Sequence, residues 1–444
     1  MIVEIEIHPD AKDNFNQRAN ELFVELKQFV CRTPKSERNF NPDLYVSARF
    51  TENDIIYIKK KALIDPIGNV IGKSFFYEGR EIGLFGANYK KLQNLAQSMQ
   101  RTKPLKQFIC MVFLLDVIFE WMEARYKNTS SSNMVEFVLP KCKNAIIDIE
   151  IWIPIAYLCI ENDIKIGKIT FKTFKKAMFE QWIKTKPNFK EAFIKEQKEH
   201  QGTAAATIKL YAEPERAFEI AVEETEKSLS ILRLSHPANL HPELHSYCQI
   251  YGKENLERMK FFYFSNEATL PIITEQIIDE NAVPLLIDNK HLTYMKSSSL
   301  DVLSHLLEDE KLSEFQKKVL EAMFLYSKSS ISKDFYDRLL YVLIALETIL
   351  LRNDTEPIQQ NVGERMAFFV TKNSEHRKRI IKNLKDIYKI RSSFLHHGQT
   401  CEGLDKLGQF LKNAWIFFNK LILSLKKFET QSDFINSIED IKLS

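Results

Sequence analysis

Beyond Ser297 the chain changes character. From there to Ser444 every apolar run follows the 3.6-residue period of a helix, with breaks at Ser327–Ser330, Asn353–Pro357, Thr371–Ser374 and Gly398–Gly403. Before that point helical and alternating patterns are mixed. This change constrains the fold more than any other feature: about 145 residues of helical bundle follow roughly 300 of mixed α/β. The expected fold class is therefore α+β, a mixed α/β N-terminal region followed by an all-α bundle. The expected divisions are residues 1–200, then 201–298 as a second α/β segment continuous with the first, and 299–444 as the bundle. Glycine supports this reading. There are only 12 glycines in 444 residues, well under the usual level of roughly 7%, which disfavours a turn-dense all-β chain.

Within the first region, Met1–Ile7, Ile55–Leu63, Val70–Tyr77, Thr207–Ala212, Lys260–Phe264 and Pro284–Tyr294 read as strands. Asp10–Val30, Leu105–Tyr126 and Pro214–Leu234 read as helices, and basic Lys175–His200 as a helix broken at Pro187. Ala145–Ile160 and Ile164–Phe174 form the clearest hairpin candidate, joined by Glu161–Asn162–Asp163. The alternation slips near Gly167, where a bulge is expected.

Charge is balanced, 62 Lys+Arg against 59 Asp+Glu, so any electrostatic footprint must be local. The six cysteines contain no CxxC pair, a pattern expected of reduced thiols in a cytoplasmic protein. The N-terminus MIVEIEIHPD lacks a basic leader, and the longest apolar run, Phe108–Trp121, is interrupted by Asp116. No membrane association is expected.

Two segments imitate chemistry. Gly68-Asn-Val-Ile-Gly72-Lys73-Ser74 has one residue too few for a phosphate loop and leads into a strand-like run; Gly79, Gly83 and Gly86 read as a glycine-punctuated loop. His241, His245 and Cys248 would share a face if helical, but Pro237 and Pro242 interrupt the segment, which reads as a polar loop with no metal.

The segment Asn373–Gly398 carries more. Ile380, Ile381, Leu384, Ile387, Tyr388 and Phe394–Leu395 make an apolar stripe, and the opposite face is basic. Over Lys372–Arg391 eight positive residues, among them Arg377, Lys378, Lys382, Lys385 and Lys389, face only Glu375 and Asp386. Charge runs usually mark a solvated face. Here Arg391 and His396 stand five residues apart at the helix end, rotated by roughly 140° and separated by roughly 7.5 Å. The negative end of the helix favours the imidazolium of His396, suiting it to proton transfer near neutral pH, while Arg391 supplies fixed charge for a phosphate.

Arg391-Ser-Ser-Phe-Leu-His396 fits the Rx4H signature of HEPN domains. The wider pattern resembles the ApeA-like HEPN branch over about residues 300–430. Its landmarks are Ala345-Leu346-Glu347, Glu364-Arg365-Met366-Ala367 and Tyr388-Lys-Ile-Arg391-Ser392 with His396. One departure is the adjacent His397, where the family usually has a single histidine before glycine. The resemblance implies a bundle of four or five helices that forms a homodimer, bringing two Arg/His pairs into one cleft. It implies a metal-independent endoribonuclease with no cofactor, in which His396 moves protons and Arg391 stabilises developing charge. The adjacent His397 would share or take the role of His396, and Ser392 and Glu347 would support Arg391. The substrate implied by analogy is tRNA, bound by Arg377, Lys378, Lys382, Lys385 and Lys389. The role implied is an anti-phage or abortive-infection effector whose N-terminal region senses a phage-derived trigger. The alternative is a non-catalytic HEPN scaffold that binds nucleic acid or a partner protein.

Overall fold

The computed structural model describes residues 5–29, 62–64, 70–253, 258–263, 272–277, 281–397 and 404–443. It has the α+β organisation expected. By contacts the chain divides into two compact units, Met1–Ile149 with Lys209–Glu219, and Glu150–Ile208 with Ile220–Ser444. The helical region after residue 298 thus shares its unit with a β-sheet.

In the first unit, α1 (Pro9–Phe23) starts on proline and buries Phe15, Ala19 and Leu22 at helical spacing. It ends earlier than the expected Val30, because Lys27–Phe29 forms β1. With β2 (Ala62–Ile64), β3 (Val70–Tyr77) and β4 (Arg80–Phe85) it makes an antiparallel sheet ordered β1-β4-β3-β2. The expected glycine loop is instead a hairpin. Glu78 and Gly79, at φ 48° and 75°, make its two-residue turn. Gly83 lies inside β4, where an added Cβ would stand 2.1 Å from the Lys73 carbonyl oxygen. Lys73, the lysine of the imitation phosphate loop, lies in β3 and pairs with Asp116.

Helices α2 (Ala87–Gln100), α3 (Lys103–Phe108), α4 (Met111–Tyr126) and α5 (Met134–Ala145) complete this unit. Their core includes Leu92, Leu95, Ile118, Phe119 and Trp121. The single helix expected over Leu105–Tyr126 divides at Ile109–Cys110. There the Cys110 Sγ accepts from the Phe113 N–H at 3.2 Å and caps α4. Of the expected strand Met1–Ile7, Ile5 and Ile7 are buried but belong to no strand.

The second unit holds a five-stranded sheet ordered β11-β5-β9-β8-β7. Its strands are β5 (Ile147–Ala156), β7 (Ile164–Ile166), β8 (Ile169–Thr173), β9 (Ala204–Ala212) and β11 (Gln249–Ile250); β6 (Leu158–Ile160) lies between β5 and β7 in sequence. The hairpin expected across Glu161–Asn162–Asp163 does not form, since β6 leaves to pair in parallel with β15 (Leu285–Ile287). The hairpin is β7–β8, and the slip at Gly167 is its turn, not a bulge. Ile164 faces Phe171 and Ile166 faces Ile169 across it, which buries all four side chains together. Gly167 has φ 55°, and a Cβ there would come within 2.9 Å of Leu307.

Short pairs join β10 (His245–Ser246) to β14 (Ala282–Val283), and β12 (Arg258–Tyr263) to β13 (Ile272–Ile277). The helices are α6 (Lys176–Thr185) and α7 (Lys190–His200), parted at Pro187 as expected, then α8 (Pro214–Arg233) and α9 (Asn289–Ser298). The strand expected over Pro284–Tyr294 stops at Ile287. The Asp288 carboxylate accepts from the His291 N–H at 2.6 Å and starts α9.

The bundle comprises α10 (Leu300–Glu308), α11 (Glu314–Ser329), α12 (Phe335–Leu350), α13 (Ile358–Val370), α14 (Ser374–His397), α15 (Leu404–Ser424) and α16 (Gln431–Leu443). Among the described residues its breaks at 330–334, 351–357 and 371–373 fall at or beside three of those expected, and further ones lie at 309–313, which a Ser313/Gln316 capping box closes, and at 425–430; the break expected at Gly398–Gly403 lies outside the described residues. Phe315, Leu346, Met366, Ile387, Phe417 and Phe434 lie fully buried at its centre. Among the described residues no helix is long and apolar enough to cross a membrane, and the four cysteines described are free.

Candidate active site

Helix α14 carries most of the candidate residues. Asn373 starts it by accepting from the His376 N–H at 2.8 Å. Ile380, Leu384, Ile387 and Ile390 are buried along one face. Lys378, Lys382, Lys385, Lys389 and Ser392 are exposed along the other, at successive steps of four, three, four and three. Four of the five expected RNA-binding cations therefore form one straight stripe. Lys378 meets Glu375 in an exposed pair at 2.8 Å, of little energetic weight. Lys382, Lys385 and Lys389 have no ion-pair partner among the described residues. Arg377 stands apart from them. Its guanidinium lies 3.9 Å over the Phe368 ring and its Nε donates to the Thr371 carbonyl at 2.8 Å, which ties α14 to α13.

Arg391 projects from the inner flank, toward α12. Its Nη1 lies 3.5 Å from Glu347 Oε1, the outer limit of a hydrogen bond. The Tyr388 hydroxyl donates to that same oxygen at 2.8 Å. Burial, and then the Glu347 charge, push the Tyr388 pKa up and keep the phenol a donor. The Arg391 side chain is 30% exposed, yet its Nε is buried with no hydrogen-bond partner among the described residues. Beyond it the Phe394 ring stacks on Tyr336 of α12, with centroids 3.6 Å apart and planes within 8°. That stack fixes the final turns of α14 against the start of α12.

The structure brings Glu347 to Arg391 but does not bring Ser392, which lies on the exposed lysine stripe. The backbone of α14 continues as helix through His397, and Gly398 lies outside the described residues. Positions 391 and 396 therefore keep their roughly 140° offset. Position 396 follows Ser392 by four residues, in register with the lysines, whereas position 391 belongs to the inner flank.

Tyr388 is the residue that sequence reasoning placed differently. Its spacing fits the apolar stripe, and only the approach of α12, 41 residues earlier, reveals the hydroxyl as the group that holds Glu347.

Arg365, from another stretch of the expected resemblance, is fully engaged. It pairs with both Glu356 oxygens at 2.7 and 2.9 Å, with Glu439 at 2.9 Å and with the Leu350 carbonyl at 2.6 Å. Hydrogen bonding from Arg365 brings the Glu356 pKa down to about 2.

The histidine segment is not the polar loop expected: it runs through a 3-10 turn at Pro237–Asn239 into β10, and His236, Asn239, His245 and Cys248 are buried. Buried His236 accepts from the Ala238 N–H at 3.0 Å and approaches the Val283 carbonyl at 2.9 Å. Burial brings its pKa down to about 4. His241 is exposed beside Glu243. Among the described residues two groups place three potential metal ligands together, Cys110–Glu213–Glu215 and Glu196–Glu199–His200, and neither includes this segment. In the first, the Glu213 carboxylate already accepts from the backbone N–H groups of Glu215 and Arg216 at 2.9 and 3.0 Å. That is the bonding of a helix cap.

Comparison of the chain with protein-family models, curated proteins and solved structures returns no match. The functional reading therefore rests on the residues and their geometry.

Proposed function

We propose that the chain is a metal-independent endoribonuclease of HEPN type. The observation that carries the reading is the state of Arg391. It is a part-exposed guanidinium held, among the described residues, by one long contact of its Nη1, at the end of a helix that exposes a continuous lysine stripe. A structural arginine is normally saturated with partners. This one keeps donors for an anion, and the lysines supply the sequence-independent attraction for a phosphate backbone.

RNA carries its own nucleophile. His396 would take the proton of the 2′-OH, whose oxygen attacks the adjacent phosphorus. The bond to the leaving 5′-oxygen then breaks, and that oxygen is protonated by a second acid. Arg391 would neutralise the charge of the pentacoordinate phosphorus. The products are a 2′,3′-cyclic phosphate and a 5′-OH. Because positions 391 and 396 are offset around one continuous helix, a homodimer that sets two Arg/His pairs across one cleft supplies the second proton-transfer group. Exposed single-stranded loops, as in tRNA, present the scissile phosphate in flexible form. The biological role proposed is an anti-phage effector restrained by the N-terminal region, because a chain that cut its host's RNA unconditionally would not be maintained.

Incubating the purified protein with total RNA in EDTA, beside His396→Ala, tests the proposal. Cleavage by the parent and none by the variant is the expected result. Equal cleavage by both would contradict the role of His396. Intact RNA with both, combined with harmless expression, would leave the non-catalytic scaffold.

A further inference from the structure

Helices α14 and α15 enclose a groove of about 490 Å³, within the size range of small-ligand sites. Arg379 and Lys382 line it from α14, and Lys406 and Lys412 from α15. Two acids oppose these four cations. Asp386 is engaged by Lys406 at 3.9 Å, and Asp405 is exposed at the start of α15. Arg379, Lys382 and Lys412 have no ion-pair partner among the described residues, so the groove keeps a surplus of positive charge. Its floor is amide. Asn413, only 2% exposed, joins Gln409 at 3.1 Å and Asn383 at 3.4 Å, and Asn383 also donates to the Lys406 carbonyl at 2.9 Å. These bonds hold the three side chains in place and leave the outer Gln409 and Asn383 donors and acceptors fixed in orientation.

We infer that this groove is a subsite for a nucleotide of single-stranded RNA, distant from the cleavage point. The cations match phosphates. Fixed amides match the hydrogen-bonding edges of a base, which are exposed only where the strand is unpaired. Lys382 belongs both to the groove and to the lysine stripe, so one strand can follow α14 from the groove toward position 396. That path covers 14 residues, about 21 Å along the helix axis. A duplex, with its base edges occupied, gains nothing from the amides. The inference rests on the RNA reading of the stripe and extends it. The substrate is a strand long enough to span both places.

The test is fluorescence anisotropy of the whole chain carrying His396→Ala, titrated into fluorescein-labelled oligouridine over a range of salt concentrations. Arg379→Glu with Lys412→Glu is expected to weaken binding about tenfold. It is also expected to reduce the slope of log affinity against log salt by about 1.4, or about 0.7 for each lost contact to a single strand. The charge-preserving pair Arg379→Lys with Lys412→Arg, checked for an unchanged melting curve, is expected to keep the parental slope. An unchanged slope in the glutamate pair, while Lys385→Glu with Lys389→Glu weakens binding, would overturn the groove and leave the stripe standing. A parent without salt-dependent RNA binding would overturn both.

Discussion

Two arginines of the bundle face glutamates, and they are built differently. Arg365 is 4% exposed and makes charged bonds to Glu356 and Glu439 and a further bond to the Leu350 carbonyl. Among the described residues Arg391 has one hydrogen-bond contact, at 3.5 Å, on an oxygen that Tyr388 already occupies at 2.8 Å. The first arrangement fixes helix positions. The second fixes a carboxylate and leaves the cation available. Elsewhere in the same unit Arg338 donates to the carbonyls of Ala238, Pro242, Leu244 and His241, and Arg233 donates to Ser327, Cys248 and Ser230. Against these, Arg391 is the lightly held one, with one long contact among the described residues.

The largest effect expected is on stability, at the saturated member. Arg365→Ala leaves Glu356 without its ion-pair cation, and Glu439 with Lys442 alone, and should cost about 3–5 kcal/mol, measured by urea unfolding. Arg391→Ala should show the reverse, an unfolding midpoint close to that of the parent and RNA cleavage reduced about 10²–10³-fold. Comparable unfolding losses in the two variants would erase the distinction.

A third prediction concerns the loop that Arg338 organises. His236 is buried there with its pKa lowered to about 4. The unfolded chain, titrating near 6.5, binds the proton first as pH falls. The stability contributed by the neutral ring is thus fully present above about pH 6.5 and is lost progressively toward pH 4. Melting temperatures should fall over that window, with a shallower slope in His236→Gln. A smaller effect is expected for Tyr388→Phe. It removes one hydrogen bond from Glu347, at about 1 kcal/mol, and lets Glu347 turn fully to Arg391. RNA cleavage should drop in this variant while the fold persists.

Much of the bundle is legible from periodicity, because the breaks after α11, α12 and α13 fall where serine, proline or asparagine interrupts an apolar stripe. The lysine stripe is legible too, since steps of three and four fix a helix face once the helix is assumed. The β-region is less so. The apolar residues around Gly167 fit either a slipped strand or a tight hairpin, and the β7–β8 pairing, with Leu307 and Ser304 against Gly167, shows the hairpin. Pro284–Tyr294 begins as a strand and becomes a helix at an Asp288 cap that alternation cannot show. At the candidate site, Glu347 and Arg391 are separated by 44 residues. Their pairing, and the intrusion of the Tyr388 hydroxyl, depend on how α12 packs against α14.

The most direct measurement is sequencing of cellular RNA ends after induction, in the parent and in Arg391→Ala. The account predicts new ends in the parent, 2′,3′-cyclic phosphate on one fragment and 5′-OH on the other, concentrated in single-stranded loops and lost in the variant. Identical end profiles in the two strains, or fragments bearing 5′-phosphates, would contradict it.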